Sequence, residues 1–366
     1  MKINFLLGDY IYSKNKTGVQ LYYENIIKKM IISGKYDVVV SAFDSSANIS
    51  SYGLPCFAKN TKYSHKIFKI LKYFIPIDLL FPKSDIYISD GFVPYTCYGG
   101  KKIAIIHDLM FLIYPENYSL KHKLILKLYY HQLKRADHII AVSQTTKNDL
   151  IRLLSISPSK ISVVYNGLDP IRNEYTDTST SALSSNNIDL SKKYCFYIGD
   201  FRKNKNINIL LHSFKRIMEL DEDAYLYLAG SKKGEYDSLK KYCDSNNMNM
   251  RVKFIGYVNE YEKHLLYTHA FVFMYISAYE GFGVPIIEAM QYGVPVITSN
   301  TSSMKEIANK AAYLVDPNSI EDIVEAYTCI GNSQWINEHY KAMNDIVTKY
   351  TWDNAFCQLE QVLKCR

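Results

Sequence analysis

Short continuous apolar runs alternate with longer stretches in which apolar positions recur at helical spacing, almost from one end of the chain to the other. A continuous run suits a strand buried on both faces. Recurrence at about 3.6 residues suits a helix with one buried stripe. The alternation predicts βα units and parallel sheets. In the first half, strands are predicted at 3–7, 37–41, 86–89, 103–107, 138–142 and 161–165, with helices near 20–32, 120–135 and 144–154. Residues 171–192 then turn polar, with Asp177-Thr178-Ser179-Thr180-Ser181 and Ser184-Ser185-Asn186-Asn187, and read as a linker. A second series follows, with strands at 194–198, 224–229, 252–255, 271–275, 294–298 and 312–315. Helices near 207–218, 236–245, 260–269 and 320–330 intervene, and a last helix runs to Lys364. The fold class is α/β, with two doubly wound parallel-sheet lobes. A first lobe of 1–170, a linker of 171–192 and a second lobe of 193–349 follow. Ligands of open α/β sheets bind beyond the carboxyl ends of the strands, so a cleft between the lobes is the natural site.

Composition narrows this little. With 366 residues, 48% hydrophobic and 22% charged, the chain can bury two cores of ordinary size. Its formal charge of +7 suits anionic partners without choosing among them. No apolar stretch approaches the roughly eighteen residues of a spanning helix. The run at 3–7 is too short for a leader core and Asp9 interrupts it, so it reads as a buried first strand. Seven Cys occur singly, without a CxxC pair, which suits reduced thiols in the cytoplasm. The 33 Tyr read as a compositional bias and carry no functional reading.

The most informative stretch is Glu280-Gly281-Phe282-Gly283-Val284-Pro285-Ile286-Ile287-Glu288-Ala289-Met290, followed by Tyr292-Gly293-Val294-Pro295-Val296-Ile297. It predicts a Gly-rich turn, a helix with Pro285 at its first position, a left-handed stop at Gly293 and a buried strand. Such a turn presents backbone N–H groups and the positive end of a helix dipole, which together attract an anion. Glu280 precedes the turn, and Glu288 is expected in the first helical turn. A carboxylate repels phosphate, but it accepts hydrogen bonds from hydroxyls on either side of one, such as those of ribose and a hexose.

These residues resemble the E-x7-E signature of retaining glycosyltransferases with two Rossmann-like lobes, the GT-B architecture, and most closely family 4 (glycosyltransferase group 1). The resemblance covers most of the chain, most strongly at 252–308 and most weakly at 42–100. It implies a hexosyltransferase that takes a nucleotide-diphosphate sugar, with GDP-mannose or a related GDP-sugar as the expected donor. The implied acceptor is a glycan or lipid-linked oligosaccharide in bacterial surface polysaccharide (O-antigen or capsule) synthesis. It implies no cofactor and no metal, and a terminal helix, 350–366, that packs back on the first lobe.

Further motifs match. Gly199-Asp200-Phe201-Arg202-Lys203-Asn204-Lys205-Asn206 follows the first strand of the second lobe. Cations there could offset charge on a departing diphosphate, and a plain solvated basic loop explains them about as well. The resemblance points to Lys205 first and Arg202 second, with Asn204 at the place of the usual arginine. Ile106-His107-Asp108-Leu109, with Tyr114-Pro115-Glu116 downstream, resembles the family's HDL…PE stretch and implies that His107 contacts the donor sugar. Asp108 is expected to accept from nearby backbone or to orient the imidazole. Lys16-Thr17-Gly18-Val19-Gln20 resembles the loop that covers the diphosphate or acceptor, although a plain helix-capping turn explains it nearly as well. Gly256-Tyr257-Val258 resembles the loop against the nucleotide base. Ser143 suits an N-cap, and Asn166-Gly167 a tight turn between lobes. Ser299-Asn300-Thr301-Ser302-Ser303 reads as simple capping.

The mechanism that the resemblance implies uses Glu280, Lys205, Arg202 and His107 as catalytic residues. Glu288, Gly281, Phe282, Gly283, Val284, Gly18, Gly199 and Tyr257 would bind the donor. Glu288 holds the ribose, and Glu280 and the backbone of 282–284 hold sugar hydroxyls and phosphate. The acceptor then attacks the face that the diphosphate leaves, with retention. A nucleotide-sugar epimerase, a phosphorylase and a non-catalytic nucleotide-sugar-binding subunit are the rival readings. A nucleic-acid binder leaves the Glu280–Glu288 segment unexplained. Lys62, Lys66, Lys69 and Lys72 recur at helical spacing among apolar residues of 62–83. That stretch fits a basic helix peripheral on anionic membrane at the cytoplasmic face, and equally a core-packed helix with a solvated lysine face.

Overall fold

The computed structural model describes residues 1–7, 17–42, 56–58, 75–117, 130–171, 188–232, 234–330 and 333–364. The chain forms two compact units, Met1–Gly167 with Thr351–Arg366, and Leu168–Tyr350.

The first unit is built on β1 (Lys2–Leu7), β2 (Asp37–Ala42), β3 (Cys56–Ala58), β4 (Ile86–Asp90), β5 (Lys101–Ile106), β6 (His138–Ala141) and β7 (Ile161–Val163). They lie in the order β3-β2-β1-β4-β5-β6-β7, and every pair is parallel. The apolar run of β1 is buried on both faces, as its lack of alternation requires. The helix Gly18–Ser33 starts where the Thr17 side chain accepts from Gln20 N–H at 3.2 Å. The last helix, Trp352–Lys364, belongs to this unit. Its buried Trp352, Ala355, Phe356, Leu359, Val362 and Leu363 follow helical spacing. Ion pairs Lys29–Asp353 (2.6 Å) and Lys35–Glu360 (2.9 Å) tie it to the Gly18–Ser33 helix and the residues just beyond.

The second unit holds β8 (Lys193–Ile198), β9 (Ala224–Ala229), β10 (Val252–Gly256), β11 (Val272–Tyr275), β12 (Val296–Ser299) and β13 (Tyr313–Val315). Their order is β10-β9-β8-β11-β12-β13, again all parallel. Strand order reverses between β8 and β11. The loops leaving their carboxyl ends therefore diverge and leave a crevice, the place where such sheets bind ligands. The amphipathic helix Ile207–Leu220 covers the sheet with Ile207, Leu210, Leu211, Phe214 and Ile217.

Three elements depart from the predicted pattern. β3 is only three residues long, so it leaves no periodic signal. In the helix Ser333–Lys349, Tyr340, Met343, Ile346 and Val347 recur at helical spacing, a stripe left unassigned in the predicted pattern. Ser302–Ala308 is a helix where capping alone is predicted. Most of the helix predicted near 120–135, and Lys62, Lys66, Lys69 and Lys72, lie outside the described residues. Among the described residues no helix is long and apolar enough to cross a membrane.

Candidate functional site

The signature turn follows β11 and leads into the helix Val284–Gln291. Gly283 sits at φ +110° as its N-cap, a conformation that an L side chain resists. Pro285 is the second helical residue, not the first, and Glu288 is the fifth, so each stands one residue deeper than predicted. The helix ends in a Schellman motif. Gly293, at φ +70°, donates to Met290 O at 3.0 Å, and Val294 donates to Ala289 O at 3.0 Å.

The turn is held from behind by the next helix, Ser302–Ala308. Ser302 Oγ donates to Glu280 O (2.7 Å) and accepts from Glu280 N–H (3.1 Å). The buried Ser303 hydroxyl lies 2.9 Å from Glu280 O and 2.7 Å from Phe282 O. These serines position the turn as well as start a helix, which the capping reading missed.

Lys205 closes the short turn Lys203–Lys205 beyond β8. Its Nζ lies 2.6 Å from Glu280 Oε1 and 2.9 Å from Tyr275 OH, and Tyr275 OH donates to Glu280 Oε1 at 3.0 Å. Lys205 and Glu280 are both about nine-tenths buried. Burial alone would push the Lys205 ammonium down, but Glu280 offsets this and holds it above the ordinary lysine value. Burial, and then Glu280, push the Tyr275 phenol far up, so it stays protonated. Asn204, fully buried, joins the two loops: its Nδ2 donates to Tyr279 O at 3.2 Å, and its backbone carbonyl accepts from Ala278 N–H at 2.7 Å. Gly199 N–H donates to Ala229 O (3.0 Å) where this loop leaves the sheet.

Arg202 precedes this buried group, and its backbone carbonyl accepts from Lys205 N–H at 2.9 Å. Half exposed, it pairs with Asp200 across 2.8 Å. The sequence reading counted the cations of this loop and overlooked its acid.

Glu288 has a second set of partners. Lys263 Nζ lies 2.9 Å from Oε1, and Tyr267 OH donates to Oε2 at 3.1 Å. Neither partner carries a sequence signal, because a lysine and a tyrosine in an amphipathic helix look like surface and core. Tyr257 follows β10 and is 58% exposed. Phe282 is buried, its ring edge-on to Tyr350 at 5.5 Å.

His107 and Gly18 belong to the first unit. The His107 ring meets Tyr22 of the Gly18–Ser33 helix edge-on at 5.2 Å, and Tyr22 in turn meets Trp352 at 5.9 Å. Burial pushes the imidazole down to about 4, so it is neutral at physiological pH. Asp108 accepts from Met110 N–H at 2.9 Å, the backbone-bracing role expected of it. Gly18 is the first residue of its helix, and an added Cβ would meet nothing within 4 Å. Among the described residues no cluster of His, Cys, Asp and Glu is arranged to hold a metal ion.

The arrangement in the second unit can bind an anion flanked by hydroxyl groups: a helix start, a buried ammonium, and carboxylates on each side. The family model for glycosyl transferases group 1 matches residues 180–349, and that for glycosyltransferase family 4 matches residues 18–172. The chain is 29% identical over 240 residues to O-antigen chain mannosyltransferase B of Escherichia coli, covering 61% of this chain and 59% of that one. It is 28% identical over 252 residues to O-antigen chain mannosyltransferase RfbU of Salmonella typhimurium, covering 68% and 65%. The match thus spans less than two thirds of either relative's length. In fold, the chain is similar to Anabaena HepE, solved with UDP and glucose, with a TM-score of 0.75 at 17% identity over 100% of both chains.

Proposed function

The chain belongs to the GT-B glycosyltransferases of the group 1 and family 4 type, and from that premise we propose that it transfers a hexose from a nucleotide-diphosphate sugar to a glycan acceptor in surface-polysaccharide synthesis. Mannose is the proposed sugar, because the O-antigen relatives are named mannosyltransferases. GDP is the proposed nucleotide and a lipid-linked oligosaccharide the proposed acceptor.

The observation that carries the reading is the buried Lys205–Glu280–Tyr275 group beside the Gly283 turn. In the ground state Lys205 and Glu280 neutralise each other. A bound donor sets its diphosphate toward the Lys205 ammonium and the amino end of the Val284–Gln291 helix. Glu280 accepts from sugar hydroxyls. As the sugar–phosphate bond breaks, charge grows on the leaving oxygen, and a fixed ammonium in a water-poor setting stabilises that charge strongly. The acceptor hydroxyl attacks the face from which the diphosphate departs and the leaving phosphate takes its proton, so configuration is retained. His107, neutral in the fold and a weak base because burial lowers its pKa to about 4, serves as a hydrogen-bonding group.

The test is a binding panel of GDP-, UDP-, dTDP- and ADP-sugars by thermal shift, repeated with Glu288→Ala, and then transfer to a lipid-linked acceptor with the anomeric proton followed by NMR. Stabilisation by GDP-mannose alone, lost in the variant, and an axial product from an axial donor are the expected outcomes. Stabilisation by another class reassigns the base. Inversion at the anomeric carbon, or turnover of the sugar without acceptor, overturns the proposal.

A further inference from the structure

On the proposed reading both signature carboxylates flank a dianionic diphosphate, and two bare carboxylates would repel it. Each has its own lysine. Glu280 has Lys205, from the loop after β8. Glu288 has Lys263, from the helix Glu260–Thr268, which also carries Tyr267. Lys263 and Tyr267 are four residues apart, so they share one helix face. Lys263 takes Oε1 of Glu288 and Tyr267 takes Oε2, at 2.9 and 3.1 Å. The Lys263 and Glu288 side chains are each only 18% exposed, and Glu260 adds a second carboxylate 3.0 Å from Lys263. Burial opposes the Lys263 charge, yet the two carboxylates hold it above the ordinary lysine value.

We propose that Lys263 is a positioning residue for nucleotide recognition: with Tyr267 it clamps the Glu288 carboxylate so that one lone pair on each oxygen remains for the vicinal 2′ and 3′ hydroxyls of ribose. A carboxylate oxygen has two acceptor directions, and the clamp uses one on each. The fork that remains matches a diol, and the lysine cancels the charge that the diphosphate would otherwise feel. An unclamped glutamate would keep its charge and lose its aim. This inference rests on the assignment of Glu288 to the ribose.

The test is calorimetric binding of GDP and UDP, and of their 2′-deoxy analogues, to the wild type, Lys263→Met, Lys263→Arg, Glu288→Gln and the double variant Lys263→Met/Glu288→Gln. The wild type should prefer the ribonucleotide about tenfold, the worth of one charge-assisted hydrogen bond. Lys263→Met should remove that preference by weakening ribonucleotide binding, while binding of the deoxy analogue changes little. Lys263→Arg should restore it. The double variant should bind no worse than Glu288→Gln. In transfer assays Lys263→Met should raise the donor KM and leave kcat within about twofold. Equal weakening of ribo and deoxy ligands, or losses that add in the double variant, overturns the positioning role. So does tight ribonucleotide binding by Lys263→Met while Glu288→Gln loses it. A wild type that binds nucleotides and does not respond to Glu288→Gln overturns the ribose assignment instead. Unfolding of Lys263→Met without rescue by Lys263→Arg makes the lysine structural and overturns the proposal.

Discussion

Replacing Lys205 with methionine separates what the buried ion pair does for stability from what it does for chemistry. The substitution keeps the length and apolar stem of the side chain and removes the ammonium. Glu280, about nine-tenths buried, would then have Tyr275 OH at 3.0 Å and lack its 2.6 Å cation. Removing one partner of a buried pair costs about 3–5 kcal/mol, because the other charge stays out of water. Removing both charges, as Lys205→Met with Glu280→Gln, should restore stability to within about 1 kcal/mol of the wild type, since an isosteric neutral pair has no desolvation to repay. Transfer should behave differently. Loss of a preorganised cation at the leaving group slows turnover by about 10²–10³, and the double variant should recover none of it. The chain has two tryptophans, Trp335 in the second unit and Trp352 in the first. Urea unfolding followed by Trp335 fluorescence in a Trp352→Phe background therefore reports on the unit that holds the pair. Two results would refute the reasoning. A loss below about 1 kcal/mol in Lys205→Met would mean that the pair behaves as an exposed one. Recovery of transfer in the double variant would mean that the lysine only neutralises Glu280.

Two further predictions follow from the geometry. His107 is neutral in the fold with a pKa near 4, against 6.5 in the unfolded chain, so the unfolded state binds more protons between these values. Stability of the first unit is then full above about pH 6.5 and falls as pH drops toward 4, by up to about 3 kcal/mol at about 1.4 kcal/mol per tenfold change in proton affinity. His107→Gln should flatten that slope in urea titrations read by Trp352 fluorescence, leaving the smaller part due to His138, which burial also pushes down. Ser303→Ala takes a buried donor from Glu280 O and Phe282 O. It should lower stability by about 1–2 kcal/mol and raise the donor KM more than it lowers kcat in steady-state transfer assays, because the turn loses its brace while the charged groups remain.

Much of this molecule follows from local rules of the chain. Apolar runs and helical stripes mark nearly every strand of both sheets, and Gly283, Pro285 and Gly293 mark a turn, a helix start and a helix stop, with Pro285 one position later than expected. The place of the signature at a strand's carboxyl end follows as well. Periodicity reports only what a residue's near neighbours are, so the three-residue β3 escaped it. It also says nothing of partners far along the chain. Lys205 and Glu280 are 75 residues apart. They meet because parallel pairing puts β8 beside β11, so that two loops leave adjacent strand ends at the point where strand order reverses. The same packing slides the Tyr275 phenol into the pair and turns an unremarked lysine on a neighbouring helix toward Glu288. Sequence determines which groups can ionise and which backbone can turn. Tertiary structure decides which charges lose their water together, and a charge without water must have a partner.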